Sequence, residues 1–318
     1  MREPIYRKAL NKSFQLVLHH KILWIFGVLS LLLGQLGWNN FIGSLTVVSK
    51  EQQSFLSYFL AIPWNDLWQG GNFFWSLWLV FLLVAISLSV LLLAVIAEGA
   101  LIAAATSWYR GVKEVKIDEA WNKGVRNFNR LLFVHLGKKF LLVLLLVVVN
   151  FLTTSSSSQS DFVNSFSVIA IVAIGLFFAL VVSSVGIFAA GYVVDRDLPV
   201  LESVKRAFEL FKNHILVSLE LSVILLFIQM FAVLLFIFMS TWFLVPFVSF
   251  SVIGGLTGSY PLILTGLMSS VVLFFMVAAL IGGILNAFTV SSWMYLFMKM
   301  DHEGVVSKLL HLFKPSRK

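Results

Sequence analysis

A chain of 318 residues with 59% hydrophobic residues, 12% charged residues and a mean hydropathy of +0.95 cannot spread its apolar side chains over a water-facing surface, which excludes a soluble globular domain. The formal charge of +8 comes without a single cysteine, so disulfides and thiolate metal sites are excluded as well.

Six apolar runs approach or exceed the roughly 20 residues that carry a helix across about 30 Å of hydrocarbon. They fall at 22–37, 73–109, 131–152, 166–194, 215–243 and 263–298. None alternates with period two, so a membrane β-barrel does not fit. The fold class expected is an all-α integral membrane protein of six transmembrane helices, arranged as one membrane domain over 1–318. The first run is short and carries glycine, but "GQLGWNN" offers no small-x-small cleavage site and a charged segment of some twenty residues precedes it. It reads as an uncleaved span.

The 23 Lys and Arg residues sort by loop: five before the first span, eight between Arg110 and Lys139, four between Arg196 and Lys212, five from Lys299 onward and only Lys50 elsewhere. Because cations collect on the cytoplasmic side, both termini are expected there, in a multi-pass protein of the cell's inner membrane. The charge is then a topology signal and implies no nucleic-acid partner. A basic inner face attracts anionic lipid headgroups, which are the expected partners together with a membrane protein.

An amphipathic pattern precedes each odd-numbered span. Tyr6, Leu10, Ser13, Phe14 and Val17 fall at offsets 0, 4, 7, 8 and 11, one stripe of a helix; Ile117, Trp121, Gly124, Val125 and Phe128 repeat them, and so do Val200, Val204, Ala207, Phe208 and Phe211. Within it "NKSF", "NKGV" and "KRAF" hold the same register of polar, cation, small and apolar residue. The chain therefore reads as three tandem hairpin repeats, 1–110, 111–198 and 199–318, each opened by a cytoplasmic amphipathic helix. All start on the same side, so they are parallel repeats. Lys12, Lys123 and Arg206 are the candidate contacts to lipid headgroups or to a partner. A further amphipathic segment, with Val306, Leu309, Leu310 and Phe313 on one side, closes the chain.

The even-numbered spans end in small residues four apart: Gly99 with Ala103 in "EGALIAAATSW", Gly186 with Ala190 in "GIFAAG", and Gly283 with Ala287 in "AALIGGILNA". That spacing lets backbones approach closely, so these glycines are candidate helix-packing positions and the even spans are expected to converge. At 1.5 Å per residue the second run reaches about 55 Å, so it must tilt, break or protrude. Between the spans, 39–72 carries Trp64, Trp68 and Tyr58 and suits interfacial helices, 153–165 reads as a polar linker, and 247–260, apolar but glycine-rich, reads as a loop that either lies on the surface or re-enters the membrane.

Catalytic motifs are missing: there is no GxSxG, HExxH, phosphate loop or paired acidic motif, and the expectation is a protein that is not an enzyme, without cofactor or metal. The adjacent His19 and His20 point about 100° apart on a helix and suit no shared metal. His135 sits beside Lys138 and Lys139, at the inner interface. Glu98 and Glu220 are the acidic residues inside apolar runs. A carboxylate there is costly unless neutralised, paired or hydrated. Two readings stand for them: a structural pairing with Lys205, Lys212, His214, His135 or Lys138, or a polar site led by Glu220 that binds a cationic group or proton.

The stretch "VVDRDLPVLESVKRAFELFKNHILVSLEL", with "GIFAAGYVV" before it, resembles the cytoplasmic segment of the six-span membrane domain attached to some glycerophosphoryl diester phosphodiesterases and of its stand-alone relatives. Shared are the small-residue helix end, the acidic turn "DRD", and a basic pair followed by an aromatic residue. The phosphodiesterase domain is absent, so no catalytic residue transfers. The resemblance implies a six-helix fold connected with lipids or export. The function expected is handling or transport of a lipid or other amphiphile. The alternative is a non-catalytic scaffold that holds partner proteins through the surface helices.

Overall fold

The computed structural model describes residues 5–31, 73–112, 116–156 and 161–303. Among these residues the regular structure is helical: α1 (Ile5–His19), α2 (Ile22–Leu31), α3 (Phe73–Tyr109), α4 (Ile117–Arg126), α5 (Phe128–Ser156), α6 (Asp161–Arg196), α7 (Val200–Asn213), α8 (Ile215–Ser240), a 3-10 turn (Thr241–Leu244), α9 (Val245–Thr257) and α10 (Tyr260–Glu303). Among the described residues five stretches are long and apolar enough to cross a membrane, and α1 with α2 makes a sixth when that bent pair is taken as one span. The architecture is that of an all-α multi-pass membrane protein. Lys50, the aromatic segment 39–72, residues 32–37 of the first run and the closing segment 306–313 lie outside the described residues.

The helices outrun the bilayer. The 37 residues of α3 and 44 of α10 reach about 55 and 66 Å at helical rise, against about 30 Å of hydrocarbon. Only one part of each is packed. Along α3 the residues from Ala94 to Thr106 are mostly buried, whereas Phe74, Trp75, Trp78 and Phe81 are exposed. On α10 the buried run lies between Asn286 and Met300, and on α6 between Ser184 and Val194. The main apolar core gathers these segments with α1, α2, α4 and α7. The remaining apolar surface suits lipid, a solvent as apolar as the side chains themselves.

The three long helices α3, α6 and α10 touch one another in every pairing. Around them α1 packs against α10, α4 against α3 and α7 against α6. Sharp corners set up these contacts. The chain turns through 108° between α1 and α2, a corner held where the Trp24 indole donates to the Val17 carbonyl at 2.8 Å. Asn127 and His214 stand at the breaks between α4 and α5 and between α7 and α8.

Two expected loops are helical. Residues 153–165 were expected to form a linker, but α5 runs to Ser156 and α6 resumes at Asp161, leaving 157–160 outside the described residues. The Thr153 hydroxyl donates to the Asn150 carbonyl at 2.9 Å, so the helix satisfies its own polar side chain. Of residues 247–260, those up to Thr257 belong to helix α9 (Val245–Thr257) and Tyr260 begins α10, so most of this expected loop is helical. Pro246 sits in the first turn, where no N–H is needed, and Gly258 ends the helix at φ 65°. The glycines serve packing here. A Cβ on Gly254 would stand 2.7 Å from Ile263 Cγ1, and one on Gly266 would stand 2.6 Å from Phe250 Cβ, so α9 and α10 lie flush because both positions lack one.

Candidate functional site

Glu98 lies 11 residues before Tyr109, about 17 Å along α3 from its end by helical rise. Helical spacing on α5 brings His135 and Lys138, three apart, to the face that meets it. His135 Nε2 stands 3.0 Å from Glu98 Oε2, close enough for an ion pair but not aligned as a hydrogen bond. Lys138 is within electrostatic reach of the same carboxylate. All three are buried, at 0%, 3% and 6% exposure. The Lys138 stem lies on Gly186 of α6, where a Cβ would meet its Cδ at 2.7 Å, so three helices enclose the cluster. A buried carboxylate beside an imidazole and an ammonium is held in place by mutual neutralisation.

Glu220 has other company. It is half-buried on α8 and within electrostatic reach of Tyr6 on α1. The two carboxylates expected to work together meet different partners. His135, expected at the interface, is buried beside Glu98.

The stripe on each surface helix divides in two. Ser13, Gly124 and Ala207, at offset seven, are buried, while Phe14, Val125 and Phe208, at offset eight, are exposed. Gly124 lies against the Ile96 carbonyl of α3, and a Cβ on it would stand 3.0 Å from the Ala100 nitrogen. The Ser13 hydroxyl lies 2.8 Å from the Tyr109 phenol, which itself donates to the Ser291 carbonyl at 3.2 Å. The cations have separate partners. Lys12 lies 5.6 Å above the Tyr295 ring, Arg206 pairs with Glu202 at 2.6 Å, and half-buried Lys123 lines a shallow surface groove with Glu119, Asn122 and Arg126. Nothing brings the three to one site.

Gly99, Gly186 and Gly283 are tight, but their neighbours are not one another's helices. A Cβ on Gly99 would stand 2.7 Å from Leu131 Cδ1 and 2.9 Å from Gly124 Cα; Gly283 faces Val28, with the Trp24 carbonyl at 3.0 Å and the Val28 nitrogen at 2.8 Å from such a Cβ. The expected convergence of α3, α6 and α10 runs through larger residues instead. Phe188 lies edge-on to Trp293 and stacks on Phe297, and Tyr109 lies edge-on to Tyr295.

Charges join the same ends. Arg110 bonds Asp195 at 2.6 Å, and Arg196 bonds Asp301 at 2.7 Å, with the Tyr192 phenol donating to Asp301 at 2.9 Å. The Asp195 side chain is only 2% exposed. In the turn after α6, Asp197 takes φ 54°, a left-handed conformation that aspartate tolerates better than most residues. Its carboxylate accepts from Arg126 at 2.5 Å and Asn127 at 3.1 Å, and its carbonyl accepts from Arg130 at 2.8 Å. Burial pushes this carboxyl up, but the bonds from Asn127 and Arg126 and the charges of Arg126 and Arg130 prevail and hold it below the usual carboxylate range. In the sequence the arginines among these residues count only as topology signals. The hint they carried was "DRD", acidic residues among cations at a helix end, which sets up pairing but does not name the mate.

Among the described residues no three His, Cys, Asp or Glu come together as a metal site. No protein-family model matches the chain, and neither a curated protein nor a solved structure is significantly similar to it.

Proposed function

We propose that this protein moves or handles a lipid or other amphiphile in the inner membrane, with Glu98, His135 and Lys138 as its ionisable site. The observation that carries the reading is the burial of all three within membrane-length helices, since an ionisable group in such a place is a functional candidate by default. In this proposal Glu98 takes the leading role and Glu220 a subsidiary one. The cation-rich ends of the helices face the cytoplasm, where Lys12, Lys123 and Arg206 lie among anionic headgroups. Kinship with the membrane domain of glycerophosphoryl diester phosphodiesterases is part of the proposal and rests on residues 186–221.

Three tandem units belong to the same reading. Each surface helix buries its small residue and exposes its offset-eight apolar residue, and each packs on the long helix of the unit before it, α1 closing on α10. Such a ring places equivalent apolar residues in the interface around one axis.

The test is reconstitution in vesicles of phosphatidylcholine with anionic phosphatidylglycerol, following a fluorescent phospholipid across the bilayer. Wild-type protein accelerates its movement and Glu98→Gln does not, while the variant keeps its fold. Equal rates in vesicles with and without protein would sink the proposal. The scaffold reading has one observation in its favour, the exposed row Leu201, Val204 and Phe208 on α7. Under it, substitution of that row releases a membrane-protein partner and leaves lipid movement unchanged.

A further inference from the structure

A second polar place lies between α6, α8 and α10, formed by side chains that carry no charge. A void of about 30 Å³ is bounded there by Ser183, Ser222, Gln229 and Thr289 on its polar side and by Ile187, Leu225 and Trp293 on its apolar side. Counting its open mouth, the empty space is about 440 Å³. Room for one or two water-sized groups at the back thus continues into an apolar opening.

The hydrogen bonds determine what the void offers. The Thr289 hydroxyl donates to the Leu285 carbonyl at 2.8 Å, so towards Gln229 it can only accept. The Gln229 amide nitrogen accordingly donates to it at 3.1 Å. That orients the amide, and its Oε1 is a buried acceptor with no hydrogen-bond partner on a residue only 6% exposed. The Ser222 hydroxyl donates to the Ser218 carbonyl at 2.8 Å, so it too has only lone pairs left to offer. Ser183 Oγ is buried without a partner. An acceptor stranded in apolar surroundings is costly, and a donor from outside recovers that cost.

We infer that this void is a binding site for the hydroxyl of a neutral amphiphile. The occupant must donate to meet Gln229 Oε1, and a hydroxyl can at the same time accept from the unpartnered Ser183 hydroxyl. It is uncharged, because no carboxylate lines the void to offset an ammonium. Its chains leave past the apolar lining residues Leu180, Leu225 and Leu226. The site deepens the amphiphile reading by naming a ligand class, and it does not involve Glu98.

Equilibrium binding tests it independently of movement. The protein is placed in phosphatidylcholine nanodiscs, a lipid without hydroxyl donors, and its Tm is measured with added dioctanoylglycerol or with trioctanoylglycerol, whose esters accept but cannot donate. Dioctanoylglycerol raises Tm and trioctanoylglycerol does not; Gln229→Leu abolishes the rise. Native mass spectrometry of the wild-type protein gives a second readout that needs no variant, with diacylglycerol retained and triacylglycerol lost. Equal shifts from the two lipids, or a shift that survives Gln229→Leu, would overturn the inference, as would no shift and no retained lipid, which means that water alone fills the void. If dioctanoylglycerol binds but no phospholipid moves in vesicles, the site stands and the transport reading falls.

Discussion

Glu98 shows what burial does to a single side chain. Its carboxylate faces His135 and Lys138, so the two ways of removing its charge have different costs. Glu98→Gln keeps the volume and can hydrogen-bond a neutral imidazole, so thermal stability in detergent is expected to stay near wild type while lipid movement is lost. Both variants remove the counter-charge of Lys138, but Glu98→Leu also leaves His135 and Lys138 facing apolar atoms with nothing to hydrogen-bond, and the loss expected there is about 3–5 kcal/mol. Equal, large losses of Tm in both variants would make the cluster purely structural. Asp197 obeys a different balance, being outside the spans. Its carboxyl is held below the ordinary aspartate value of 3.8, so the ionised form is the one that folding favours. The stability it contributes is present above that value and disappears as pH falls through the lower folded value. Asp197→Asn is therefore expected to lower Tm at neutral pH and to flatten its decline below about pH 4. An unchanged acid limb would show that Arg126 and Arg130 do not hold the carboxylate in solution.

At the level of elements, the glycines differ in what stands opposite them. Gly283 of α10 faces backbone of α2, and Gly27 of α2 faces the Gly283 carbonyl in return. Gly186 faces only the Lys138 side chain. Backbone cannot move aside, whereas a lysine stem can, so Gly283→Leu is expected to lower Tm by more than Gly186→Leu, with overpacking losses of about 1–3 kcal/mol or above. Gly99→Leu belongs with Gly283, because Gly124 Cα lies against it. Melting the three purified variants side by side checks the order. Equal Tm for all of them and wild type would remove close backbone packing as the reason for these glycines.

For the whole molecule, the question is which side each charged end faces. The partition of 22 cations to one side and Lys50 to the other predicts that positions 123 and 206 are cytoplasmic and positions 50 and 161 are not. Since the chain has no cysteine, Lys50→Cys, Asp161→Cys, Lys123→Cys and Arg206→Cys each create one reporter. An impermeant thiol reagent added outside intact cells is expected to label the first two only. Labelling at 123 from outside would reverse the map. The expected labelling pattern would put the packed ends of α3, α6 and α10, joined by Arg110–Asp195 and Arg196–Asp301, on the inner side, and the exposed apolar halves towards the outer leaflet.

By itself the sequence determined the class, the membrane-length stretches, the uncharged and charged sides of the chain, and the three registers where a small residue precedes an aromatic or β-branched one. These are local sums or short periodicities, and neither hydropathy nor a 3.6-residue repeat needs a distant partner to be read. Tertiary structure alone decided that Glu98 meets His135 rather than sharing a site with Glu220, that offset seven turns inward and offset eight outward, and that α1 closes on α10. It also decided that 245–257 is helical, because the glycine-rich 247–260 reads as turn-prone until the facing helix is present to fill the space a Cβ on Gly254 would take. Gln229 was visible as a lone amide in an apolar run, but its unmet acceptor depends on Thr289, sixty residues later, having already spent its own hydrogen on Leu285. The chemistry of a buried polar group is set by what its neighbours have left to offer, and helix packing chooses the neighbours.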